Sequence, residues 1–202
     1  FKKYQNKYSN FRVIDANYEF NYSKINNQAV KEAKGEYIVL LNNDTEIITP
    51  HWLQIMVGYA MQPHIGAVGT KLLYPDNTVQ HAGIILGIGG IAQHCFIDNP
   101  RDDVGFYGRL SVPFNYSAVT AACLMVSKEK YLEVNGLEED LQVAFNDVDF
   151  NLKLLKQGYY NICLNHVELY HHESKSRGDD TVDTSSAKYR RFVQEHDYIK
   201  DK

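Results

Sequence analysis

Three short stretches of this chain hold side chains able to work on a charged oxygen leaving group. In "LLNNDTEI" an apolar run ends in Asn42, Asn43 and Asp44, and in "FNDVDFNLKL" Asp147 and Asp149 open an amphipathic segment. In "ELYHHESKSRG" a second apolar run ends in His171, His172 and Glu173. Carboxylate oxygens suit hard cations such as Mg2+, and an imidazole beside them makes Mn2+ an equally good match. A carboxylate that is not a ligand can instead take the proton of an attacking hydroxyl. Each stretch also has a plain structural use, because Asn and Asp stop strands and cap helices. The three stretches together weigh more than any one alone.

The surrounding pattern says what must position these residues. Residues 11–15 and 36–41 are β-rich, and between them Ile25, Ala29, Val30 and Ala33 recur at helical spacing up to Gly35, which predicts a β-α-β unit. Thr49 is the expected N-cap and Pro50 the first residue of a helix with Leu53, Met56, Val57 and Ala60 on one face. Residues 65–77 read as a strand broken by a Pro-Asp-Asn turn, 117–127 as a buried strand, and 128–136 as a short helix closed by Gly136. A further amphipathic helix ends at Gly158, "YYNICLN" and "VELYHH" are the last two strands, and polar helices are expected over residues 1–10 and 179–202. Such alternation predicts an α/β fold with a mostly parallel, Rossmann-like sheet flanked by helices, in which ligands bind beyond the carboxyl ends of the strands. Asn42, Asn43 and Asp44 stand at such an end.

Composition narrows the class. A chain of 202 residues with 44% hydrophobic side chains supports one well-buried domain. With 21 Lys and Arg against 25 Asp and Glu, the net charge of -4 and the lack of a dense basic block argue against a nucleic-acid partner. The apolar run "AGIILGIGGIA" falls short of the roughly 20 residues a membrane helix needs, and its glycines favour a strand and turn. Its "GIGG" lacks the spacing of a dinucleotide fingerprint. Cys95, Cys123 and Cys163 have no paired spacing, which suggests neither a disulfide framework nor a zinc site and fits a reducing cytoplasm. The single Trp52 is expected to pack rather than to stack on a sugar, and His81 in "QHAG" could reach a ligand or simply be exposed.

Taken in order, "AKGEYIVLLNNDTEI", "YPDNTVQHAG", "AVTAACLMVSKEKYLEVNGLEED", "FNDVDFNLKL" and "LYHHESKSRG" resemble the inverting nucleotide-sugar glycosyltransferases of family 2, which have the GT-A fold. The similarity spans residues 11–178 and is greatest to the bacterial branch that builds rhamnose-containing and other surface polysaccharides. The resemblance implies that the family's DxD motif reads Asn42-Asn43-Asp44 here, with Asp44 and His171 as ligands of Mn2+ or Mg2+. Alternation along a strand allows only one of His171 and His172 into the cleft, and His171 is the residue assigned. It further implies Asp147 as catalytic base, Asn27 with Asn42, Asn43 and Asp44 as donor contacts, and Ala121, Asp149 and Arg177 as acceptor contacts. The implied partners are a nucleotide-diphosphate sugar and a saccharide or lipid-linked acceptor. Peripheral membrane association would come through parts outside this chain. The first strands of the family fold, which hold the nucleotide base and ribose, have no counterpart in this sequence, so the fragment alone is expected to be inactive. Two other classes use the same residues: a binding module that has kept the fold without the donor chemistry, and a metal-dependent phosphohydrolase.

Overall fold

Local signals set most element boundaries. In the computed structural model, which describes residues 2–88, 90–172 and 184–202, a lead-in helix α1 (Lys2–Lys7) precedes α2 (Tyr22–Glu32), whose N-cap Asn21 accepts the Lys24 N–H. Strand β1 (Tyr37–Leu41) runs into a turn at 42–44 and then the short β2 (Thr45–Ile47). Helix α3 (Trp52–Ala60), strand β3 (Ile65–Leu73), strand β4 (Val79–His81) and the hairpin β5 (Ile84–Leu86) and β6 (Ala92–His94) follow. Strands β7 (Pro113–Tyr116) and β8 (Cys123–Ser127), helices α4 (Lys128–Glu133) and α5 (Asn146–Lys156), strand β9 (Tyr160–His171) and helix α6 (Ala187–Asp201) complete the chain. No helix among the described residues is long and apolar enough to cross a membrane.

Period-two side-chain alternation builds a core on each face of the sheet. On one face Ile38, Leu40, Leu124 and Val126 pack with Val30 of α2, Tyr131 of α4, and Phe150 and Leu154 of α5. On the other, Val68, Cys123 and Met125 pack with Met56 and Ala60 of α3, and the half-buried Trp52 covers the same cluster. All three cysteines are free and buried, and burial pushes the thiols of Cys95 and Cys123 up to about 11.

The fold is α/β as expected, a central sheet flanked by helices, but the sheet is not mostly parallel. Its order is β1-β8-β3-β9-β2, with β4 on β3 and β7 on β9. Among the described residues only β3 and β9 run parallel. A parallel pair needs a crossover of a dozen or more residues, and the short turn after β3 instead returns β4 antiparallel along it. Residues 11–15, expected as a strand, are irregular and largely exposed and join no ladder among the described residues.

Three more expectations are corrected by long-range hydrogen bonds. Thr49 does not cap α3; its hydroxyl accepts the Glu168 N–H at 2.8 Å, and the helix starts at Trp52 behind His51 in a left-handed conformation. The two last strands are one, β9, because Asn165 donates to the Arg109 carbonyl at 2.6 Å and a register shift at Thr70/Lys71 absorbs the irregularity. The strand expected over 117–127 forms only from Cys123, since the backbone of Val119 and Ala121 bonds to side chains instead of a ladder. Close approach of that segment to β3 depends on Gly69, where a Cβ would stand 2.6 Å from the Val119 Cβ.

Candidate active site

The turn after β1 is closed by Thr45, whose hydroxyl donates to the Asn42 carbonyl at 2.9 Å. Strand β2 then pairs antiparallel with the end of β9, in a register that sets Thr45 opposite His171. The His172 N–H extends the ladder to the Asp44 carbonyl at 2.9 Å. This register brings Asp44 Oδ1 to 3.2 Å from His171 Nε2, with Asn42 Nδ2 also 3.2 Å from that nitrogen. Strand alternation separates the two histidines as expected: His171 is buried against Asp44, and His172 turns to Glu46 at 3.4 Å.

A residue absent from the sequence-based candidates orients that imidazole. Gln80 of β4 is buried, and its Oε1 lies 2.7 Å from His171 Nδ1. The amide's other end donates to the His171 carbonyl at 3.4 Å, which sets the Oε1 toward the ring. With Nδ1–H donating to Gln80 Oε1, Nε2 presents its lone pair to the side of Asp44 and of the Asn42 amide, whose Nδ2 can donate to it. Asp44 Oδ1 is itself buried without a hydrogen-bond partner among the described residues. Two facing acceptors at 3.2 Å are a poor arrangement by themselves and a good one around a cation, so this oxygen-nitrogen pair fits Mn2+ or Mg2+. Among the described residues no third His, Cys, Asp or Glu joins them, which leaves coordination to be completed by ligands from outside this set. Gln80 lies in "TVQHAG" immediately before His81, and only the partner-seeking rule for a metal-bound histidine could have drawn attention to it.

Asp147 reaches the same region through residues 120–122. The Ala121 N–H donates to Asp147 Oδ2 at 3.1 Å, and the adjoining Ala122 carbonyl accepts the Asn42 N–H at 3.0 Å. Tyr22 of α2 donates to the Ala121 carbonyl at 3.0 Å, and burial followed by the Asp147 charge raises its phenol well above the ordinary range. One residue earlier, the Thr120 N–H points to His81 Nε2 at 3.4 Å. His81 is fully buried, not exposed; it also receives the Gly83 N–H at 3.3 Å, and burial, with His94 and His171 nearby, holds its pKa well below the ordinary value. Asp147 occupies the first turn of α5, whose dipole favours a carboxylate there.

The remaining candidates divide. Asn43 is exposed on the turn. Asn27 is consumed by the fold: its Oδ1 accepts from Tyr131 Oη at 2.6 Å and the Leu137 N–H at 3.0 Å, and its Nδ2 donates to the Leu137 carbonyl at 2.9 Å and Glu139 at 3.1 Å. It is thus a staple between α2 and the loop after α4. Asp149 is buried and paired with Lys153 at 2.9 Å and Lys202 at 2.8 Å. The Ala121 side chain is buried while its peptide group holds Asp147. Arg177 and Glu173 lie outside the described residues.

Comparison with known proteins defines the class. Residues 1–123 match the family model described as glycosyl transferase family 2. The chain belongs to glycosyl transferase family 2. It is 46% identical over 190 residues to the uncharacterized protein y4gI of Sinorhizobium fredii, covering 94% of this chain and 21% of that protein. It is 42% identical over 170 residues to the O-antigen biosynthesis protein RfbC of Myxococcus xanthus, covering 81% of this chain and 13% of that one. The chain therefore spans only a small part of either relative. In fold it is similar to a mannosyltransferase from Pyrobaculum calidifontis in complex with GDP-Man and Mn2+, with TM-score 0.63 and 16% identity over 100% of this chain and 50% of the other. It is also similar to GalNAc-T7 with UDP, GalNAc and Mn2+, with TM-score 0.71 and 11% identity over 97% of this chain and 38% of that one.

Proposed function

We propose that this chain is the metal- and acceptor-side part of an inverting glycosyltransferase that uses a nucleotide-diphosphate sugar in the synthesis of a cell-surface polysaccharide. The observation that carries this reading is the attachment of the Asn42 backbone and the Asp147 side chain to adjacent residues, Ala122 and Ala121, with Asp44 and His171 beside the same turn. Family membership and the similarity to an O-antigen biosynthesis protein support the substrate class.

Asp44 and His171 would hold the divalent metal, Mn2+ or Mg2+, and Gln80 keeps the imidazole in the tautomer that can bind it. When bound, the metal neutralises charge developing on the diphosphate leaving group. Asn42 and Asn43 offer amide donors to the donor at the mouth of β1. Asp147, steadied at Oδ2 by the Ala121 N–H, takes the proton of the acceptor hydroxyl as that oxygen attacks the anomeric carbon. Attack from the face opposite the leaving group inverts the configuration. Asp149 and Ala121 would border the acceptor side, with Asp149 contributing through its lysine pairs; Arg177, outside the described residues, is kept as an acceptor contact on the family resemblance alone.

The test is transfer by the intact polypeptide that carries this chain, assayed on a panel of nucleotide sugars with and without Mn2+. Asp147→Asn should lower turnover on the order of 10²- to 10⁴-fold while leaving donor affinity nearly unchanged. Full turnover in that variant would remove Asp147 from the role of base.

A further inference from the structure

The approach to Asp147 is held from behind by helix α6, which lies beyond the residues matched by the family model. Glu195 of α6 is 3% exposed, and its carboxylate accepts three successive peptide N–H groups: Gln142 at 2.9 Å and Val143 at 3.2 Å on Oε1, and Ala144 at 2.6 Å on Oε2. Successive N–H groups turned inward make a concave anion site, and here the anion is supplied by the chain's own C-terminal helix. Immediately after this cradle the backbone passes through Phe145, at φ 59, before α5 begins at Asn146. The Phe145 ring packs on Phe192 at 5.6 Å and His196 at 6.1 Å, both from α6. Asn146 ties back to the cradle through its Nδ2 on the Val143 carbonyl at 2.9 Å, and Asp147 is the next residue. At the far end of α6, Lys202 bonds Asp149 and Glu138 at 2.8 Å each, so α6 grips α5 on both sides of Asp147.

We propose that Glu195 is a positioning residue for Asp147: its buried carboxylate, bound to three successive N–H groups of residues 142–144, fixes the entry into α5 and hence the direction of the Asp147 side chain. The inference rests on the reading of Asp147 as the base. No other described side chain accepts those three N–H groups, and a loop leaving them by a left-handed residue such as Phe145 needs an external hold to keep one conformation. An error of about 1 Å in the base is enough to cost on the order of 10²-fold in rate, so a carboxylate that never touches substrate can control turnover.

The test uses Glu195→Gln and Glu195→Asp in the intact polypeptide. Gln keeps the size but turns an N–H toward donors, whereas Asp keeps the charge. Amide exchange at Gln142, Val143 and Ala144 should accelerate in Glu195→Gln while exchange at Leu124 and Val126 in β8 stays as in the parent. Turnover should fall about tenfold or more with donor KM within about twofold, and Glu195→Asp should recover part of that loss. Glu195→Gln added to Asp147→Asn should cost nothing further, because the positioned group is already gone. A multiplicative loss in the double variant, or parent turnover together with parent exchange at Ala144, overturns the inference. Slow Asp147→Asn with fast Glu195→Gln sinks only this inference, whereas fast Asp147→Asn sinks the base reading beneath it. If Glu195→Gln is not recovered folded, the Glu195→Asp variant carries the same exchange and double-variant comparison.

Discussion

Asn42 and Asp147, distant in sequence, hydrogen-bond to adjacent residues: the Asn42 N–H donates to the Ala122 carbonyl at 3.0 Å, and Asp147 Oδ2 accepts the Ala121 N–H at 3.1 Å. The segment before β8 thus acts as a strut between the turn after β1 and the first turn of α5. It can do so because residues 119–121 leave the ladder, Val119 and Ala121 bonding the Asn151 and Asp147 side chains, while Ala122 still meets the Asn42 backbone at the end of the β1–β8 pairing.

Removal of the carboxylate at the turn after β1 should be the most damaging change to donor binding. Asp44→Ala is expected to abolish Mn2+-dependent donor affinity in the intact polypeptide, because one carboxylate supplies most of the protein's negative charge at the site. A calorimetric titration of the nucleotide sugar with and without Mn2+ reads this directly, and unchanged metal-dependent affinity would exclude Asp44 as a ligand.

Gln80 should matter through His171 alone. Gln80→Leu removes the acceptor 2.7 Å from Nδ1 and frees the ring to change tautomer. Loss of such a partner typically weakens metal binding by about 10- to 100-fold. Gln80→Glu retains the acceptor and should bind Mn2+ much as the parent does. Equal loss in both variants, seen by metal titration, would show that packing rather than the hydrogen bond is at work.

Asn27 should behave as a structural residue. Asn27→Ala leaves the Tyr131 hydroxyl and the Leu137 N–H without their acceptor, a change expected to cost about 2 kcal/mol. Urea unfolding should show the loss. Donor affinity of the folded variant should match the parent, and a selective fall in donor affinity would instead return Asn27 to the donor site.

Acid sensitivity should concentrate at Glu168. Burial alone would raise its pKa, but hydrogen bonds from Lys71 and Arg101 outweigh it and hold the carboxyl below its ordinary value. A depressed folded pKa means that the unfolded chain binds more protons below the ordinary glutamate value. The contribution is therefore full above that value and lost as pH falls through the folded one. Urea midpoints across the acid range should fall for the parent and fall less for Glu168→Gln. At neutral pH that substitution should cost about 3 kcal/mol, since Lys71, with its side chain 5% exposed, loses its counter-charge.

Short-range signals were readable without coordinates. The helical spacing of α2 and α5, the left-handed closures at Gly136 and Gly158, and the divergence of His171 from His172 all depend on a few neighbouring residues. The same holds for Asn42 through Asp44 at the end of β1 and for Asp147 in the first turn of α5, which propensity and order along the chain were enough to place.

Pairing partners were not readable, because hydrogen bonds between segments distant in sequence have no local periodicity to betray them. The antiparallel neighbours of β1 and β3, the diversion of Thr49 from cap to β9, and the burial of His81 were decided only when the sheet closed. So were the two residues that orient others: Gln80, whose amide meets His171 across β4 and β9, and Glu195, whose carboxylate fills a cradle of backbone N–H groups. Composition alone makes each an ordinary polar residue. Burial beside a specific partner is what converts them into supports for the site, and that juxtaposition exists only in the tertiary structure.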